Sequence, residues 1–123
     1  MALTEDRLPP QNLEAERSTL GSLLIDPDGL LKVAELLKPE DFYRRAHQLI
    51  FTAISELYAR DEPADIVTVC EELDRGDVLD NVGGEAFVSS LANEVPSPFH
   101  LEHYAKIVKR ASVLRQLVVS AGE

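Results

Sequence analysis

Across 123 residues the chain carries 22 acidic and 12 basic side chains, a formal charge of -10, which repels a phosphate backbone and argues against nucleic-acid binding by this chain alone. Its length fits a single domain, and a hydrophobic share of 45% fits an ordinary globular one that buries a core without staples. Cys70 is the only cysteine, so an intrachain disulfide is excluded; there is no signal segment and no apolar run approaching the roughly 18 residues of a membrane helix.

Met1 to Pro9 is polar and reads as a flexible arm. Asn12 is placed to cap a first helix with Leu13, Leu20, Leu23 and Leu24 on one face and Glu16 and Arg17 between them. Asp26-Pro27-Asp28 then supplies a cap, a proline at the first helical position and an acid in the first turn. The short second helix that follows carries Leu30, Leu31, Ala34 and Leu37 and ends at Pro39. Phe42 is expected as a plug between helices. From Tyr43 to Tyr58, the positions Tyr43, Ala46, Leu49, Ile50, Ala53, Ile54, Leu57 and Tyr58 keep helical period over about 24 Å and predict the central core helix. Phe51 lies off this stripe, either exposed or turned toward a second layer, and His47 lies beside it, half-buried.

Asp65 sits where a cap should, ahead of a face made of Ile66, Val69, Cys70 and Leu73. The β-branched run Ile66-Val67-Thr68-Val69 also suits a strand, but a lone strand has no partner here. Gly76 closes this helix. Gly83-Gly84 feeds another, with Ala86, Phe87, Leu91 and Ser90 as candidate inner residues. Ser97 caps the last helix and Pro98 takes its first position. Leu101, Tyr104, Ile107 or Val108, Ala111, Leu114 and Val118 form its core stripe. Val113, Leu117 and Val119 widen that stripe, which predicts either a helix covered on several sides or one that meets apolar partners outside this chain. The fold class is all-α: a compact orthogonal bundle of about six helices.

Charge is unevenly spread: ten acids against Arg60 and Arg75 from Glu56 to Glu85, then four bases and no acid from Lys106 to Arg115. The acidic stretch is a solvated face or a docking surface. Constellations that carry chemistry are missing. Gly83-Gly84 is followed by Glu85 rather than the lysine and hydroxyl of a phosphate loop. His100 and His103 share a helix with Glu102 between them, but zinc needs three or four ligands. Paired carboxylates such as Asp61 and Glu62, or Glu71 and Glu72, sit on turns and surfaces, and the pairs Ser18-Thr19 and Ser89-Ser90 lack a nucleophile elbow. No catalytic, cofactor or metal residue is assigned.

Three segments, taken in order, resemble the N-terminal domain of bacterial replicative DNA helicases of the DnaB type: LPPQNLEAERSTLGSLLIDPDGL from Leu8, LLKPEDFYRRAHQLIFTAISELY from Leu36 and LANEVPSPFHLEHYAKIVKRASVLRQLV from Leu91. The resemblance rests on Glu14-Ala15-Glu16 with Leu20-Gly21-Ser22, on Phe42-Tyr43 before His47 and Ile50-Phe51, and on Tyr104-Ala105 leading to Arg115. It implies a flexible arm over residues 1–9, the helicase N-terminal domain over 10–118 and the start of a truncated hairpin or linker over 119–123. It further implies a bacterial cytoplasmic protein at the replication fork. Helical hairpins there pair between subunits in a collar above a hexameric ring, and the collar receives the C-terminal domain of the primase. A helicase loader is a further candidate partner. ATP and Mg2+, and single-stranded DNA, belong to a motor beyond this chain, and no membrane is involved. Val113, Leu117 and Val119 fall where bundle meets hairpin and are the candidate interface; ending there, the chain is expected to be a fragment lacking most of the hairpin. On this resemblance the chain is the non-catalytic assembly and primase-docking domain of an ATP-dependent helicase. The alternatives are an unrelated helical protein-interaction adaptor and, against its charge, a small DNA-binding module.

Overall fold

The first helix among the described residues, α1 (Leu13–Ile25), begins where Asn12 accepts the Ala15 N–H at 2.9 Å, as a cap at this position should. A computed structural model describes residues 8–95 and 97–122, with only the backbone of 120–122; residues 1–7 of the expected arm lie outside the described residues. Among the described residues seven α-helices follow one another, with short 3₁₀ turns between some of them. They are α1, α2 (Leu30–Val33), α3 (Arg45–Ala59), α4 (Ile66–Arg75), α5 (Leu79–Val82), α6 (Gly84–Glu94) and α7 (Leu101–Gly122). The molecule is an all-α orthogonal bundle.

α3 supplies the stripe its periodicity predicted, with Ile50, Ala53, Ile54 and Leu57 all buried. It starts at Arg45 rather than Tyr43, because Arg44 is extended (φ -81°, ψ 135°) and Tyr43, only half-buried, belongs to the turn before it. Phe51 turns out to be buried, its ring 5.0 Å from that of Phe42. Phe42 is fully enclosed, a plug as expected.

The helix enclosed on most sides is α1, which packs against α3, α6, α7 and two 3₁₀ turns. Its buried residues include the small Ala15, Thr19, Gly21 and Ser22 as well as three leucines, and small side chains let neighbouring backbones approach. Gly21 is the extreme case: a methyl group there would overlap the Leu91 carbonyl of α6.

α4 is a helix and not a strand. Asp65 accepts the Thr68 N–H and Thr68 Oγ1 accepts the Asp65 N–H, both at 2.9 Å, a reciprocal cap. Val69, Cys70 and Leu73 are buried with Ile66 half-buried beside them, and Gly76 caps the C-terminus. Asp26, by contrast, makes no side-chain cap bond. In α2 the buried face is narrower than its run of apolar residues, and in α6 one inward assignment, Ala86, is corrected. Leu31 and Ala34 are exposed while Val33 is buried, since a one-turn helix can aim only positions three apart into the core. Ala86 is exposed and Val88 is buried; Gly83 and Gly84, with φ of +111° and +78°, reset the chain direction at the start of α6, whose inner face carries Val88 and Leu91.

Candidate assembly surface

Ser97 Oγ accepts the Phe99 N–H at 3.2 Å and Pro98 opens the 3₁₀ turn to His100, so the cap pattern predicted for the last helix is present one turn ahead of α7. Over its first three turns α7 is ordinary core. Leu101, Ala105, Val108, Ala111 and Ser112 are buried, mainly against α1. Tyr104 and Ile107 lie half-buried at the edge of this face.

Beyond Ser112 the same helix is bare. Val113 is 40% exposed, Leu114 45%, Leu117 60%, Val118 56% and Val119 61%. The three candidate interface residues Val113, Leu117 and Val119 are therefore at the surface. Leu114 and Val118 were expected in the core stripe and are not. Helical period carries the stripe on, but the bundle ends at Ser112, and among the described residues no element continues alongside. The result is a wider apolar patch than the sequence suggested. Arg115 does not interrupt it. Its guanidinium turns back to the bundle, donating to the Pro10 carbonyl at 2.9 Å and the Asp41 carbonyl at 2.7 Å, 5.5 Å above the Tyr43 ring.

Of the four bases from Lys106 to Arg115, Arg115 is occupied in this way and Lys109 Nζ lies 3.4 Å from Asp41 Oδ1. The remaining pair, Lys106 and Arg110, is exposed. On the acidic side, Arg60 bridges Glu62 at 3.2 Å and Glu72 at 2.7 Å, and Arg75 reaches Glu72 at 3.2 Å. The Arg60 hydrogen bond holds the Glu72 carboxyl below the usual carboxylate range, and its two carboxylate partners hold Arg60 above the usual guanidinium range. Burial, with a smaller contribution from Glu85, pushes the Cys70 thiol up, which makes it a poor nucleophile.

His100 and His103 are exposed and flank Tyr104, with ring centroids 6.4 and 6.2 Å away. Among the described residues no three His, Cys, Asp or Glu side chains converge on a metal site, and no helix is long and apolar enough to cross a membrane. A groove of about 440 Å³ between α1, α6 and α7 has Glu14, Arg17, Glu94 and His103 on its rim and no hydroxyl or thiol paired with a base.

Sequence reasoning missed a buried polar pair beside α1. Glu16 and His47 are each 1% exposed, with Nδ1 and Oε1 2.7 Å apart. The other Glu16 oxygen accepts the Tyr43 N–H at 2.7 Å, and the imidazole stacks on Phe87 with centroids 6.0 Å apart. The signal was present: Glu16 lies three residues after Leu13 and four before Leu20, on the apolar face.

Residues 8–110 match the family described as DnaB-like helicase N terminal domain. The replicative DNA helicase DnaC of Bacillus subtilis (strain 168) is 47% identical over 119 residues, 97% of this chain and 26% of the relative. The replicative DNA helicase DnaB of Geobacillus stearothermophilus is 46% identical over the same shares. This chain thus spans about a quarter of the length of these curated relatives. The crystal structure of the N-terminal domain of DnaB helicase from Mycobacterium tuberculosis superposes with a TM-score of 0.91 at 45% identity, covering 94% of this chain and 83% of that one. A structure described as a DnaB-like replicative helicase and its interactions with primase shares the fold, with a TM-score of 0.80 at 24% identity over 90% of this chain and 26% of that one. Matched over most of its length and sharing nearly half its residues with these helicases, the chain belongs to the DnaB-like helicase N-terminal domain family.

Proposed function

We propose that this chain is the non-catalytic assembly and primase-docking domain of a replicative, ATP-dependent DNA helicase that unwinds duplex DNA at the fork in the bacterial cytoplasm. The observation that carries the reading is the exposed stripe Val113, Leu114, Leu117, Val118 and Val119 on α7. Apolar area of that kind gains on the order of 1.5–3 kcal/mol per large side chain once covered. Its place just beyond the family match, which ends at residue 110, with about three quarters of each relative's length lying elsewhere, supports an occupant from the same protein or a neighbouring subunit. The nucleotide, Mg2+ and single-stranded DNA are then handled by the remainder of the protein. The charge of -10 and the engagement of Lys109 and Arg115 within the bundle support keeping DNA away from this domain. The primase C-terminal domain and a loader are partners of the assembled collar in this reading.

The test is sedimentation of the full-length protein carrying Leu117→Ser and Val119→Ser. A shift from hexamer toward smaller species, with the helical signal unchanged, is the expected result. An unchanged hexamer would place the interface elsewhere and favour an adaptor role for the stripe.

A further inference from the structure

The root of α7 is held by a polar cluster that the assembly reading does not use. Asp41 ends the 3₁₀ turn Pro39–Asp41 and is 2% exposed. Its Oδ2 accepts the Lys38 N–H at 2.8 Å, which closes the turn. Its Oδ1 accepts the Ser112 hydroxyl at 2.7 Å and lies 3.4 Å from Lys109 Nζ. The Asp41 carbonyl accepts from Arg115. Lys109, Ser112 and Arg115 are spaced three apart and line one face of α7. They straddle the boundary where burial gives way to exposure, between Val108 and Leu117.

Apolar packing has little directionality, so the Leu101 to Ala111 face alone permits α7 to roll or tilt on α1. Hydrogen bonds have strict geometry, and a buried carboxylate shared by a hydroxyl and an ammonium fixes both the roll and the exit angle of the helix. The grip is anchored on the far side too. Glu16 of α1 accepts the Tyr43 N–H two residues after Asp41, so the turn is tied to the most enclosed helix of the bundle. Arg115 adds the Pro10 carbonyl, from the segment that leads into α1.

We propose that Asp41 is a latch that sets the direction in which α7 leaves the bundle, with Lys109, Ser112 and Arg115 as its positioning partners. Its consequence for subunit pairing rests on the reading of the α7 stripe as an assembly surface; the latch itself does not. The test is a spin-label distance measurement between Glu71→Cys on α4 and Gln116→Cys on α7, both exposed, in this chain with Cys70→Ala. The parent should give one narrow distance distribution. Lys109→Gln with Ser112→Ala leaves the Lys38 cap of the turn intact and should broaden that distribution roughly twofold, with the helical signal retained. Asp41→Asn, whose single carbonyl can accept from Ser112 or from the Lys38 N–H but not both and which loses the charge facing Lys109, should fall between the two. Unchanged distributions in both variants would overturn the latch, as would loss of the folded bundle in both, which would make Asp41 a stability residue only. Full-length sedimentation separates the two readings. If the Leu117 and Val119 variant dissociates while the distances stay fixed, the latch fails and the stripe stands; broadened distances without dissociation give the reverse.

Discussion

Leu101 and Leu117 lie on one helix, and a hydropathy pattern treats them alike, yet one is 5% exposed and the other 60%. The first half of α7 is core because α1 runs beside it; the second is surface because the bundle has ended. The same side chain therefore contributes to folding at one end of the helix and is available for association at the other. Periodicity reports which face of a helix is apolar, but it cannot report how far along that face a partner extends.

That comparison breaks if residues on the two sides fail to separate into stability and association effects. On the bundle side the largest effect is expected for Glu16→Ala. It strands His47 and the Tyr43 N–H in the interior and should cost about 3–5 kcal/mol in chemical denaturation. Glu16→Gln, which keeps a carbonyl to accept the Tyr43 N–H, should recover part of the loss. Leu101→Ala should leave a cavity under α7 and cost about 2–5 kcal/mol by the same measurement. Leu117→Ala in this chain should change stability by no more than about 0.5 kcal/mol, as for an exposed site. A loss at Leu117 equal to that at Leu101 would show that the distal half is core and end the distinction.

The smallest effect lies on the acidic face. Glu72 is held below its ordinary value by Arg60, so its contribution is complete above about pH 4.3 and is lost as the pH falls through the lowered folded value. Glu72→Gln should therefore reduce stability slightly at neutral pH and flatten the fall in acid. About 1 M salt should remove most of the difference, since Arg60 and Glu62 are open to solvent. Urea melts across the acid range check this. A difference that survives high salt would mean that the pair is more enclosed than its surroundings indicate.

Much of the bundle was legible because the local signals agreed with one another. Asp65, the Val69-Cys70-Leu73 face and Gly76 specify α4 from three directions, and together they overrule the β-branched run. The failures arose where a tertiary contact sets a local boundary. α3 starts at Arg45 because Glu16, remote in sequence, holds the Tyr43 N–H. Ala86 faces out because the positive-φ glycines Gly83 and Gly84 set the orientation of α6. The α7 stripe was visible as a surplus of apolar residues, but its breadth was not, because the end of the bundle is a property of the other helices. The Asp41 cluster joins positions about seventy residues apart, and no short motif marks it.

The central claim is that the distal half of α7 is free in this chain and covered in the assembled protein. Leu117→Cys with Cys70→Ala allows it to be measured as a rate of thiol alkylation, in this chain and in the full-length protein. The account predicts fast modification in the chain and modification slower by roughly tenfold or more in the assembly. Equal rates in the two would contradict it.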